Sequence, residues 1–372
     1  MNPVELARPE IRALQPYSSA RMEARGGGSV LLNANESPWP PFACDRDWNR
    51  YPEPQPAALV ARLAGLYGVG NDQLLVGRGS DEGIDLLVRA FCAAGRDAIL
   101  VSSPTFGMYA VCARVQGVEV IDAPLRGDFS LDVDAVLAAV TPAVKLVFVC
   151  APNNPSGAGV PRAAILRLAE ALAGKALVVV DEAYVEFIDP EGECRSLADC
   201  IGAIPNLVVL RTLSKAWALA GIRMGALLAD ARVIALLRKL MPPYPLPTPC
   251  IEIALRALAD AGVCAMRDRV ATIRRERLRV SDALARCCCV RAVLPSQANF
   301  LGIRFEDAGR ACEALRDAGV IVRDVRRYPM LGDALRITLG SPDQNDRVLA
   351  VLRSLDGART VSLAAARAGL PA

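Results

Sequence analysis

Between Arg50 and about Ala259 the chain alternates short apolar runs with stretches whose apolar residues recur at helical spacing. The runs are Leu74 to Val76, Ala98 to Val101, Val118 to Ile121, Leu146 to Val149, Leu177 to Val180 and Leu207 to Leu210. Most are continuous Val, Ile and Leu rather than apolar/polar alternations, which predicts strands covered by helices on both faces. Helical patterns such as Asp81 to Ala93 and Arg162 to Ala173 lie between them. That order predicts an α/β fold built on a doubly wound, mostly parallel sheet, with ligands bound beyond the carboxyl ends of the strands.

Met241 to Pro249 reads MPPYPLPTP, a stiff connector that can be neither regular helix nor central strand. Beyond it a long Arg-rich helix is expected from Cys264 to about Cys287. Short strands at Ala292 to Leu294, Phe300 to Ile303, Val320 to Val322 and Leu335 to Thr338 then alternate with helices at Ala308 to Asp317 and Asp343 to Leu355. These segments predict a smaller C-terminal α/β domain. The expected division is an N-terminal arm over 1–40, a large domain over 41–262, a small domain over 263–358 and an Ala-rich tail over 359–372. The arm has little periodicity and is expected to pack on the small domain and the active site.

Composition narrows the function. Lys and Arg total 43 against 40 Asp and Glu, interspersed, so no basic stripe suggests a nucleic-acid partner. The N-terminus carries early glutamates and no apolar signal core, and the longest uncharged stretches are broken by Pro and Gly, so a cytoplasmic chain with no membrane partner is expected. Twelve cysteines without a Cys-x-x-Cys pair read as reduced thiols. The triplet Cys287-Cys288-Cys289 points in different directions on a helix, and no metal is expected. Histidine is absent altogether, which excludes Ser-His-Asp and Cys-His catalysis. Proton transfer must therefore run through Lys, Tyr, Asp, Glu or a cofactor.

Four strand ends supply candidate chemistry. After Leu207 to Leu210 come Thr212, Ser214 and Lys215, with Arg223 eight residues beyond the lysine. After Leu177 to Val180 come Asp181 and Tyr184, which could be an ordinary cap and a half-buried phenol or could hold a protonated pyridine nitrogen and a ring oxygen. After Leu146 to Val149 comes Asn153-Asn154-Pro155-Ser156-Gly157, a tight turn or a second donor to that oxygen. After Leu74 to Val76 comes Gly77-Arg78-Gly79-Ser80-Asp81, a helix cap or a backbone nest for a phosphate. Taken together, a lysine, a carboxylate, ring-oxygen donors and a phosphate cup describe a site for pyridoxal 5′-phosphate.

With these residues, and with Leu32-Asn33-Ala34-Asn35-Glu36 and Asn49-Arg50-Tyr51-Pro52-Glu53, the chain resembles the fold type I pyridoxal-phosphate aminotransferases and, within them, the histidinol-phosphate aminotransferase family. The resemblance covers nearly all of residues 5–355. It implies that Lys215 carries the cofactor and shuttles the proton, that Asp181 lies under the pyridine nitrogen, and that Asn154 and Tyr184 address the ring oxygen. Tyr109 would stack on the ring, and Ser80, Asp81, Thr212, Ser214 and Arg223 would form the phosphate cup. It further implies a homodimer with shared active sites, in which Tyr51 reaches the neighbouring subunit's cofactor phosphate. Arg336 and Arg323 would grip the distal anion of the substrate, while Tyr17 and Asn35 close over it. The implied substrates are histidinol phosphate and 2-oxoglutarate or glutamate. An aromatic aminotransferase or a threonine-phosphate decarboxylase would share the cofactor site, and Arg323 could instead be a surface ion pair with Asp324.

Overall fold

The computed structural model describes residues 2–17, 32–43 and 47–367, with side chains as far as residue 355. Its main sheet contains β1 (Leu74–Gly77), β2 (Ala98–Val101), β3 (Glu119–Asp122), β4 (Val144–Cys150), β5 (Leu177–Asp181), β6 (Leu207–Thr212) and β7 (Gly225–Ala229), in the order β1-β7-β6-β5-β4-β2-β3. Pairing is parallel from β3 through β6, and β7 runs antiparallel to both β6 and β1. Each of the six apolar runs of the large domain is a strand, with ends shifted by a residue or two; β7 is an addition, and in the small domain the run expected at Val320 to Val322 is not a strand, because the pairing there falls on Arg323 and Asp324 instead.

Strand composition explains the layers. Val178 and Val180 of β5 pack into one apolar cluster while Leu177 and Val179 pack into another on the opposite face, so neither parity can be polar. One face is covered by α2 (Ala57–Tyr67), α5 (Val133–Ala139) and α6 (Arg162–Ala171). The other is covered by α3 (Ser80–Phe91), α4 (Met108–Val115) and α7 (Ala231–Arg238).

The N-terminal segment departs from expectation. It contains a short α1 (Pro9–Ala13), and Ala7 is buried in the large-domain core behind α3, with Arg8 N–H donating to the Ala90 carbonyl at 3.0 Å. The first turns of the arm, up to Ala13, therefore pack on the large domain. Helical periodicity could not show this, because backbone and lysine hydrogen bonds hold the segment, such as Lys239 Nζ donating to the Arg12 carbonyl at 2.9 Å.

The Pro-rich connector ends at α8 (Thr248–Ala257), which absorbs Pro249 in its first turn, where a missing N–H costs nothing. Helix α9 (Asp260–Leu284) then crosses the expected boundary at 262/263. The small domain is an antiparallel sheet of β8 (Val290–Val293), β9 (Phe300–Phe305), β10 (Arg323–Asp324) and β11 (Ala334–Thr338), in the order β10-β11-β9-β8. Helices α10 (Ala308–Asp317) and α11 (Pro342–Arg367) close its core, and α11 continues into the stretch assigned to the tail. No helix among the described residues is long and apolar enough to cross a membrane.

Candidate active site

The carboxyl ends of β1, β2, β4, β5 and β6 share one edge of the main sheet, and the small domain faces it across a cleft of about 350 Å³. Ser80, Asp81, Asn154, Asp181, Tyr184, Thr212, Ser214, Lys215, Arg223, Arg323 and Arg336 all line this cleft. Residues separated by more than 250 positions in sequence thus meet because parallel strands deliver their ends to a common edge.

At one end lies an anion cradle. Gly79, at φ 90°, turns the chain into α3, whose first residues are Ser80 and Asp81. The N-terminus of that helix offers unpaired N–H groups and the positive end of its dipole. Arg223 reaches over it, with its guanidinium 3.3 Å from Asp81 and 3.5 Å from Ser214 Oγ. Arg223 adopts a left-handed φ of 55°, uncommon for a side chain of its size and a conformation that surrounding structure must enforce. A Cβ on Gly225 would come within 2.9 Å of Ser80 N and 2.6 Å of the Arg211 carbonyl, so β6, β7 and the cradle approach closely only because this residue is glycine.

Asp181 forms the floor. It ends β5, is 2% exposed, and accepts hydrogen bonds from Tyr109 Oη at 2.8 Å and Ala183 N at 3.2 Å. Burial nevertheless raises its carboxyl from 3.8 to about 6, with the nearby carboxylates of Asp81 and Glu182 adding to the rise. Lys215 opens onto the same cleft, and its ammonium is pushed below its ordinary value first by desolvation and then by Arg336. Burial raises the phenol of Tyr184, whose ring lies 5.8 Å below Lys215 Nζ.

Tyr109 requires a correction. It is fully buried in α4, stacks on Phe148 at 4.7 Å, and does not border the cleft, so it cannot stack on a ring bound there. Phe106, three residues earlier and ahead of the helix, occupies the cleft wall instead. The signal was positional: in Pro104-Thr105-Phe106-Gly107-Met108-Tyr109 the residue before the helix faces the strand end, while the one inside its first turn faces the core. Cys150 and Tyr328 also line the cleft and were not anticipated.

Tyr17, Asn35 and Tyr51 lie outside this chain's own cleft. Tyr17 is 72% exposed and borders a separate cavity with Pro54, Gln55, Arg238 and Lys239. Asn35 is exposed at a φ of 56°, next to Glu36, which accepts from Arg50 Nη1 at 2.9 Å and from Tyr51 N at 2.7 Å. Tyr51 stacks on Tyr244 of the Pro-rich connector with ring centroids 4.2 Å apart.

The small domain contributes a guanidinium pair. Arg323 of β10 and Arg336 of β11 stand directly opposite each other in antiparallel register, and both border the cleft. Arg336 lies 5.1 Å over the Phe300 ring and donates to Asn154 Oδ1. Arg323 does not pair with its neighbour Asp324, whose carboxylate is taken by Arg326 at 2.7 Å. Like charges opposite each other across a ladder repel, and an anion between them removes the repulsion.

These features fit pyridoxal phosphate. The cradle suits a phosphate, the buried carboxylate that burial drives towards neutrality suits a cationic ring nitrogen, and the lysine of lowered basicity suits covalent attachment. Comparison with known proteins agrees. Residues 29–352 match the model of the aminotransferase class I and II family. The chain is 52% identical over 355 residues to the histidinol-phosphate aminotransferase of Xanthomonas euvesicatoria, covering 94% of this chain and 96% of that one. It is 53% identical over 357 residues to that of Xylella fastidiosa, covering 95% and 96%. The crystal structure of histidinol-phosphate aminotransferase from Sinorhizobium meliloti in complex with pyridoxal-5′-phosphate superposes with a TM-score of 0.75 at 26% identity, over 84% of each chain. A cleft that gathers lysine, carboxylate, anion cradle and paired arginines, on a chain matched over nearly its whole length, places it in the pyridoxal-phosphate-dependent class I and II aminotransferase family, among the histidinol-phosphate aminotransferases.

Proposed function

We propose that the chain exchanges an amino group between L-histidinol phosphate and 2-oxoglutarate, in the direction that serves histidine biosynthesis, as a cytoplasmic homodimer with shared sites. The observation that carries the substrate reading is the Arg323 and Arg336 pair, two guanidinium groups in cross-strand register on the small domain, bordering the same cleft as the Arg223 cradle of the large domain. One cradle suits the cofactor's phosphate, and the arginine pair provides a second anion site for the substrate's.

Bound pyridoxal phosphate supplies the electron sink that makes loss of a substrate Cα proton feasible. Asp181 would hold the ring nitrogen of the bound group, whose positive charge would favour the ionised carboxylate. Lys215 Nζ, already of lowered basicity, takes the Cα proton and returns it on the other side of the reaction. Phe106 would give the ring an apolar wall, and Asn154 and Tyr184, which line the same cleft, would be the donors to its oxygen. Arg336 and Arg323 orient the substrate by its distal anion, and Tyr17 and Asn35 complete the enclosure in the assembled enzyme.

The dimer reading is supported by Tyr51, which stands outside its own cleft and is 47% exposed, on a stretch of sequence whose Trp39, Phe42 and Trp48 are also exposed. Eleven described cysteines are free thiols, a usage suited to a reducing compartment. The test is a titration of the cofactor absorbance in the purified enzyme with histidinol phosphate, O-phosphothreonine, glutamate and aromatic amino acids. Conversion by histidinol phosphate at the lowest concentration, with 2-oxoglutarate restoring the starting spectrum, is the expected outcome. Preferential conversion by an aromatic amino acid, or carbon dioxide release from O-phosphothreonine, overturns it.

A further inference from the structure

We infer that Tyr328 is a specificity-determining residue that donates its phenol O–H to the substrate's phosphate, alongside Arg323 and Arg336. The inference rests on the phosphate-binding reading above and adds a neutral donor that none of the sequence motifs contain.

Tyr328 sits in the turn between β10 and β11, the two strands that present the arginines, and it borders the cleft with both of them. The turn is held at both ends. Val325 and Leu331 are each 1% exposed, Tyr328 N–H donates to the Val325 carbonyl at 3.0 Å, Leu331 N–H donates to the Tyr328 carbonyl at 3.2 Å, and Arg304 Nη2 donates to the Met330 carbonyl at 2.8 Å. The ring is half-buried against the main core, so it has a fixed direction. Its hydroxyl makes no hydrogen bond within the chain among the described residues, although Arg326, two positions away, is engaged bidentately by Asp324.

Chemistry favours a phenol at this place. Arg323 and Arg336 already repel each other, so a third cation would raise that cost, whereas an O–H adds a charge-assisted bond to a phosphate oxygen without adding charge. A phosphate monoester dianion presents three terminal oxygens, more than the two of a carboxylate. The smaller amino donor glutamate therefore leaves Tyr328 unused, and the residue separates phosphorylated from carboxylate substrates.

The test compares wild-type holoenzyme, Tyr328→Phe and Arg323→Ala in both half-reactions. Tyr328→Phe keeps the ring and its packing. Its KM for histidinol phosphate is expected to rise about tenfold, with the loss falling on KM rather than kcat and with the KM for glutamate unchanged. The same ratio is expected in the dissociation constant read without turnover, from the cofactor absorbance. A Tyr328→Phe enzyme indistinguishable from wild type on histidinol phosphate, or one equally impaired on both substrates, overturns the assignment. If Arg323→Ala raises the histidinol phosphate KM while Tyr328→Phe does not, only Tyr328 is excluded; if neither does, the phosphate reading itself falls.

Discussion

The buried carboxylate of Asp181 is the residue on which folding and function oppose each other. In the folded chain it keeps its proton to about pH 6, against 3.8 when unfolded, because burial outweighs the donors Tyr109 and Ala183. Between those values the folded state binds more protons, so stability falls as pH rises through the window and the penalty persists above it, amounting to about 3 kcal/mol. Asp181→Asn is accordingly expected to raise the thermal midpoint of the cofactor-free protein at pH 8, to leave it nearly unchanged at pH 4, and to weaken cofactor binding. Calorimetry at the two pH values checks the first pair, and an apoprotein destabilised at pH 8 contradicts it. Tyr109 opposes the shift, so Tyr109→Phe should raise the Asp181 carboxyl further and extend to higher pH the window over which the stability of the cofactor-free protein falls as pH rises. A ring-stacking role would instead perturb cofactor absorbance without moving the end of that window.

Among elements, the ends of β5 and β6 are spaced by a buried charge cluster that no helix or strand pattern discloses. Arg211 lies over the Tyr67 ring at 4.5 Å and donates to Glu182 Oε2 at 3.1 Å and Glu186 Oε1 at 2.8 Å. Glu182 follows Asp181, and Arg211 precedes Thr212, so one guanidinium ties the strand bearing the floor carboxylate to the strand bearing the lysine. Removing one partner of such a cluster leaves uncompensated buried charge, and Arg211→Met is expected to cost about 3 to 5 kcal/mol of stability. Arg211→Met combined with Glu182→Gln and Glu186→Gln should recover a large part of it, measured by denaturant midpoints. The strands of the large domain were legible because two-sided burial forces apolar runs, and the cleft residues from Ser80 to Lys215 because each follows such a run, whereas Arg323 and Arg336 were legible only through resemblance. Strand β7, with the sequence Gly-Ala-Leu-Leu-Ala, was not legible: it lacks β-branched residues, and its strand character comes from pairing with β6 and β1. The arm's docking on α3 and the inward turn of Tyr109 were hidden for the same reason, since tertiary contact and not local pattern decides them.

For the whole molecule, the cleft of one chain holds cofactor and substrate candidates yet excludes Tyr51, whose ring leans on Tyr244 and is about half open to solvent. A tyrosine fixed by stacking, carried on a segment tied down by Glu36 and Arg50, is oriented before any partner arrives, which favours its use in a second copy's site. If so, each active site draws Lys215 from one subunit and Tyr51 from the other. Tyr51→Phe dimers then carry two weakened sites and Lys215→Ala dimers two dead ones, while a hybrid dimer carries one intact site and one doubly impaired. Equimolar mixing with random exchange makes half of the dimers hybrid, so activity should recover to about a quarter of wild type above the residual of the parents. Subunit exchange is verified by native mass spectrometry on differently tagged chains, and activity on histidinol phosphate is followed as exchange proceeds. Recovery that tracks the hybrid population establishes the shared site. Complete exchange with no gain over the averaged parents shows instead that Tyr51 acts within its own chain or not at all.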